Sequence, residues 1–174
     1  MTTPSHSTNP ARRLANIGLH VADIERSLVF YRDLLGMTVH VDSGWETDPS
    51  LLALSATGDA EAIRIVNLVA DTRFGGATIT LVQLTGLPGE PSVPRFQDPG
   101  AIHLAFDVAD LDASLATLEA SDFAPVAAPG EVKGGGAGHA RVAFLRDPDG
   151  FFVELVQRLS VPQAPYTPEE GQHG

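Results

Sequence analysis

The residues best suited to chemistry are one carboxylate and a few histidines. Glu154 sits among Phe152, Val153, Leu155 and Val156, and a carboxylate in such company needs a partner, for which a cation would serve. His103 begins the run His103-Leu-Ala-Phe. A lone histidine on a strand is ordinarily structural, yet imidazole and carboxylate together suit acid–base work or a borderline divalent metal. The chain has no cysteine, which removes disulfides, thiolate metal sites and a cysteine nucleophile. Any metal must therefore use His, carboxylate or amide ligands. The run Gly134-Gly-Gly-Ala-Gly138 lacks the Lys and Ser/Thr that complete a phosphate-binding loop, so it reads as a mobile lid rather than a nucleotide cradle.

The elements that must position these residues occur twice. Asn16-Ile-Gly-Leu-His-Val-Ala-Asp23 reappears as His103-Leu-Ala-Phe-Asp-Val-Ala-Asp110, with Ser27-Leu28 matching Ser114-Leu115. Ile79-Thr-Leu-Val-Gln83 is echoed by Val153-Glu-Leu-Val-Gln157, at a shorter offset that places an insertion in the first copy. A duplicated unit predicts a duplicated fold, and it makes Asn16 the equivalent of His103, Thr80 of Glu154, and His20 of Asp107.

Alternation over Leu14 to Ala22 predicts a strand with Ile17, Leu19 and Val21 on one face and Asn16, Gly18 and His20 on the other. Asp23 is an N-cap for a helix from Ile24 to Leu35, and Gly36 is its stop. Strands follow at Met37 to Asp42, Ala62 to Ala70 and Ala77 to Thr85, the last two joined by a turn around Gly75-Gly76. The insertion falls in Gly44 to Ala60. In the second copy the expected order is strand Ala101 to Val108, helix Leu111 to Ala120, strand Ala124 to Ala128, strand Ala140 to Arg146, turn Asp147-Pro-Asp-Gly150 and strand Phe151 to Arg158. The expectation is one domain over 13–160, made of modules 13–86 and 100–160 with a Pro-rich connector at 87–99. The tails, 1–12 and 161–174, are polar or Pro-rich with little to bury.

Composition limits the partners. Across 174 residues, 22 acidic side chains face 11 basic ones for a formal charge of −11, which opposes binding to nucleic acid. No apolar run approaches the ~20 residues of a bilayer span, and the start lacks a signal-peptide core. A cytoplasmic protein with a small-molecule substrate or ligand is expected, without a nucleic-acid or membrane partner.

A strand with His seven residues before Asp, a helix opening Asp-hydrophobic-x-x-Ser and carrying Phe30-Tyr-Arg-Asp-Leu-Leu-Gly36, and the closing Asp147-Pro-Asp-Gly-Phe-Phe-Val-Glu-Leu155 resemble the vicinal oxygen chelate superfamily. That group includes glyoxalase I, methylmalonyl-CoA epimerase, extradiol dioxygenases, and fosfomycin- and bleomycin-resistance proteins. The resemblance covers roughly residues 12 to 160. It implies an α+β fold of two tandem βαβββ modules, forming a curled mixed-sheet cup with helices outside. Homodimerisation is common in the group, although two fused modules can close a cup alone.

In the superfamily's metal enzymes, the first and last strands of each module each supply a ligand. Here those positions are Asn16, Thr80, His103 and Glu154. The resemblance implies His103 and Glu154 as ligands of a divalent metal (Zn, Ni, Mn or Fe(II)), with Glu154 also the catalytic base. Asn16 and Thr80 become substrate contacts. Related enzymes use Gln at the position of Thr80, so a shifted register would bring in Gln83. The repeat opposes that shift, because Gln83 matches Gln157 and its odd spacing from Thr80 turns it to the opposite face. His20 shares the face of Asn16 but stands about 13 Å along the strand at about 3.3 Å per residue. It is a candidate catalytic proton shuttle or a plain wall residue. Asp107 and Trp45 are candidate substrate contacts.

Three functions follow. The first is a metal-dependent lyase or isomerase of glyoxalase or epimerase type, which binds vicinal oxygens of a small substrate and stabilises an enolate. The second is a metal-free binding protein of the bleomycin-resistance type, favoured by the two degenerate positions and by the acidic charge if its ligand is cationic. An extradiol-type dioxygenase ranks lower, because it wants two His and one carboxylate and position 16 lacks the His.

Overall fold

The protein is described by a computed structural model covering residues 14–53, 59–70, 78–87, 89, 93–133 and 138–160. The chain divides into two compact units, Met1–Glu90 and Pro91–Gly174. In the first, β1 (Ile17–His20), α1 (Ile24–Leu28) with a π-helical extension (Val29–Leu34), β2 (Thr38–Glu46), α2 (Pro49–Ala53), β3 (Ala62–Val69) and β4 (Thr78–Thr85) follow in order. The second has β5 (His103–Asp107), α3 (Leu111–Glu119), β6 (Gly130–Lys133), β7 (His139–Arg146) and β8 (Phe152–Arg158). The sheet orders are β1-β4-β3-β2 and β5-β8-β7-β6. Each unit pairs its first strand parallel to its last and the remainder antiparallel. The fold is therefore α+β, with two tandem βαβββ units and open four-stranded sheets.

The repeated residues do repeated work. Asp23 Oδ1 accepts from the N–H of Glu25 at 2.9 Å and Arg26 at 3.3 Å, and Asp110 accepts from Ala113 N–H at 3.0 Å, so both carboxylates cap a helix. The hydroxyls of Ser27 and Ser114 donate back to the carbonyls of those caps at 3.1 and 2.7 Å. Gln83 accepts from Ile24 N–H at 2.9 Å and donates to Ala22 O at 2.8 Å. Gln157 repeats the tie, accepting from Leu111 N–H at 3.4 Å and donating to Ala109 O at 3.2 Å. Each glutamine thus fastens the start of its helix to the last strand and satisfies a first-turn N–H that has no intrahelical partner. Gln83→Leu should cost about 1–3 kcal/mol in urea denaturation, and Gln157→Leu less, because its bonds are longer. A change in Gln83→Leu within about 0.5 kcal/mol, the range of neutral surface substitutions, would remove this role.

Beneath the helices, Leu19, Ile24, Val66, Leu68 and Leu81 are fully buried in the first unit, and Leu111, Leu145, Val153 and Leu155 in the second. The helix expected to run regularly from Ile24 to Leu35 instead widens at Val29. There Leu35 N–H bonds to Phe30 O at 3.0 Å, the i to i−5 pattern of a π-turn. The adjacent rings of Phe30 and Tyr31 are both buried, edge to face at 5.1 Å. β2 outruns its expected end at Asp42, carried on by register shifts, one of which spans Asp42 to Trp45 around Gly44 at φ +65°.

The expected strand Ala124 to Ala128 is a correction. That stretch makes a bridge from Pro125 to Leu145 and a bond from Val126 N–H to Phe144 O at 2.7 Å, while the edge strand is β6. Pro125 has no N–H to give a ladder, and Pro129 repeats the defect. β6 also takes the first part of the glycine-rich stretch, Gly130–Lys133. Most of the expected lid, 134–137, lies outside the described residues, as do the Gly75-Gly76 turn and both expected tails, 1–12 and 161–174. Among the described residues no helix is long and apolar enough to cross a membrane.

Candidate functional site

In the second unit, β5 and β8 run parallel with His103 beside Phe152 and Ala105 beside Glu154. Across the other edge of β8, Phe144 on β7 lies opposite Glu154 and Arg146 opposite Phe152. Strand alternation gathers His103, Glu154, Phe144, Phe152 and Arg146 on one face, away from Leu104, Val153, Leu155 and Leu145, which are buried on the other.

His103 Nε2 stands 3.4 Å from Glu154 Oε2, with side-chain exposures of 46% and 18%. The imidazole is ringed by aromatics. Phe96 stacks on it at 6.2 Å and 19°, and Phe144 meets it edge-on at 5.8 Å and 87°. Phe96 also contacts Phe144 at 5.0 Å and Phe152 at 5.3 Å, while the Arg146 guanidinium lies 3.9 Å over the Phe152 ring. An imidazole nitrogen and a carboxylate oxygen 3.4 Å apart match about the edge of a tetrahedron with bonds of about 2.0–2.2 Å, the lengths zinc takes with these donors. The pair therefore fits a shared divalent cation in donor type and spacing, and as a proton-transfer couple it needs little motion. Among the described residues no group of three His, Asp or Glu side chains is placed to hold a metal, so other donors would have to complete the sphere.

The first unit fills the equivalent positions differently. Asn16 Nδ2 donates to Thr80 Oγ1 at 2.9 Å, and Thr80 Oγ1 donates to Asn67 Oδ1 at 2.8 Å. Thr80 is buried at 8% exposure. Its one proton is committed to Asn67, and the set is neutral throughout, which makes it a poor metal donor group. Thr80→Val should destabilise by about 1 kcal/mol by stranding the half-buried Asn67. Unchanged denaturation midpoints would mean that water replaces the hydroxyl.

Gln83, bound to the helix start, does not join the Asn16–Thr80–Asn67 set. His20 is exposed on β1 beside Val82. Asp107 accepts from Arg158 Nε at 2.9 Å. Trp45 is 49% exposed on β2 and lies opposite Arg64. His139 contacts Glu131, which Lys133 Nζ also approaches at 3.3 Å; these contacts hold the Glu131 carboxyl below its ordinary range.

Sequence reasoning missed Asn67, Phe144 and the arginine on each third strand. Arg64 pairs with Glu25 and Asp42, both at 2.7 Å, and Arg141 pairs with Asp112 at 2.8 Å. Extending the internal alignment through the strands Ala62–Val69 and His139–Arg146 would have matched Arg64 with Arg141 and Asn67 with Phe144.

Residues 13–155 match the Glyoxalase/Bleomycin resistance protein/Dioxygenase superfamily. A probable lactoylglutathione lyase of Vibrio cholerae is 29% identical over 146 residues, covering 83% of this chain and 90% of that protein. The lactoylglutathione lyase of Haemophilus influenzae is 29% identical over 143 residues, covering 82% and 90%. Among solved structures, a glyoxalase family protein from Bacillus cereus superposes with a TM-score of 0.73 at 16% identity, over 90% of this chain and all of that one (100%). That likeness is one of fold.

Proposed function

The chain belongs to the Glyoxalase/Bleomycin resistance protein/Dioxygenase superfamily, and from that premise we propose that it is a lyase of glyoxalase type with His103 and Glu154 at its chemical centre. The observation that carries the reading is the 3.4 Å approach of these two side chains on one sheet face. The name these relatives carry, lactoylglutathione lyase, describes action on a thioester with a hydroxyl beside its carbonyl, which is a pair of vicinal oxygens.

His103 and Glu154 would hold a divalent metal, which when bound supplies Lewis acidity to such oxygens. Glu154 takes the proton from the carbon bearing the hydroxyl and returns it to the neighbouring carbon. This exchanges hydroxyl and carbonyl between the two carbons, with no oxidant and no net loss of atoms. The placement of Glu154 favours this role, since its carboxylate, only 18% exposed and 3.4 Å from His103, can meet a substrate proton at a fixed point. His103 fixes the carboxylate's orientation, and Phe144 and Phe152 keep water from one side of it.

The test is thioester formation from mixed glutathione and 2-oxopropanal, with and without chelator. Metal-dependent turnover is expected. No turnover, together with tight binding of a small organic ligand by metal-free protein, would move the chain to the sequestration reading, which the neutral Asn16–Thr80–Asn67 set favours.

A further inference from the structure

Phe96 lies outside the paired strands, yet its ring is laid nearly parallel on His103, at 6.2 Å and 19°. The short segment that carries it is firmly held. Asp98 Oδ2 accepts from Arg95 N–H at 2.8 Å, and Asp98 Oδ1 from Arg95 Nη2 at 2.7 Å. The backbone turns on bonds from Asp98 N–H to Arg95 O and from Ala101 N–H to Asp98 O, each 3.0 Å. Arg146, on β7, donates to Pro94 O at 2.8 Å and to Gly150 O at 2.6 Å. Val93 packs so closely on Gly150 that a Cβ there would come within 3.2 Å of it.

All this fixes a phenylalanine that is itself 57% exposed. Burial alone does not explain such an arrangement, because the residue keeps more than half of its surface in water. Its position explains it better. His103 is also half exposed and free to change rotamer unless something covers its ring. Phe96 covers one face and Phe144 meets it edge-on, which leaves Nε2 directed at Glu154.

We infer that Phe96 is a positioning residue, which acts through His103 by restricting its ring to the orientation that faces Glu154. The inference rests on the reading of His103 and Glu154 as the metal-holding pair, and it adds to that reading how the imidazole is pre-ordered. A side chain held in its binding rotamer loses less freedom when it takes a ligand. Arg146 serves the same end at one remove, through Pro94.

The experiment compares wild type, Phe96→Ala and Phe96→Tyr as full chains, by zinc titration calorimetry and by NMR of the His103 ring protons. Phe96→Ala should weaken zinc binding about 3- to 10-fold, and Phe96→Tyr, which keeps the ring, should stay within about twofold of wild type. In Phe96→Ala the ring protons should move downfield as the shielding of the stacked ring is lost. Wild-type zinc affinity in Phe96→Ala overturns the inference. If wild type itself takes up no zinc, the metal reading fails separately and the NMR decides. A single His103 rotamer in wild type that becomes averaged in Phe96→Ala sustains the positioning role, and the same rotamer distribution in both overturns it.

Discussion

Glu154→Gln should lower kcat/KM for thioester formation by about 10²- to 10⁴-fold, the range attached to a positioned general base. The substitution keeps the shape of the side chain, so the packing around Phe144 and Phe152 survives. It removes the negative charge and the proton-accepting oxygen together. Because the carboxylate is only 18% exposed, solvent cannot readily take over as base at the same point. Stability should be unchanged or slightly raised, since a partly desolvated charge has been neutralised. A variant with near-wild-type turnover would show that Glu154 is a wall of the sheet face and not its base.

The largest effect on stability is expected in the π-turn of the first unit. Phe30→Ala should cost about 3–5 kcal/mol in chemical denaturation. The ring is fully buried and meets Tyr31 edge to face at 5.1 Å, so truncation leaves a cavity and strips one face of Tyr31. The backbone bond from Leu35 N–H to Phe30 O holds the wider turn in place and limits collapse into the void. In the second copy Thr117 and Leu118 occupy the matching positions within a regular helix, α3, so no equivalent aromatic pair exists there. A loss under about 1 kcal/mol would mean that the turn relaxes to an ordinary helix.

Much of this fold is legible in the sequence, because it repeats. Asp23 and Asp110, Ser27 and Ser114, and Gln83 and Gln157 occupy matched places and make matched bonds. Internal comparison therefore identifies first strand, capped helix and last strand, and the odd spacing of Gln83 from Thr80 separates the helix tie from the Asn16 set. The middle strands were harder. Ala124 to Ala128 has the composition of a strand, but Pro125 removes the donor that pairing requires. Gly130–Lys133 pairs despite opening on a glycine, because its hairpin partner β7 fixes the register. The bulge at Gly44 likewise depends on φ +65°, which composition allows without specifying. At the candidate site, His103 and Glu154 are visible as a strand-borne pair, whereas Phe96 reads only as a connector aromatic that could line an apolar pocket or simply pack. It sits among prolines on a connector, and only the bonds of Asp98 and Arg146 bring it over the imidazole. Asn67 is hidden for a related reason: its role depends on lying opposite Thr80 in the register of β3 and β4.

The most direct test of the central claim is the metal content of protein purified without chelator, measured for wild type, His103→Ala and Glu154→Ala. A single centre built on both side chains predicts divalent metal in wild type, sub-stoichiometric to stoichiometric, and its loss from each variant. Full retention in both variants would contradict the account.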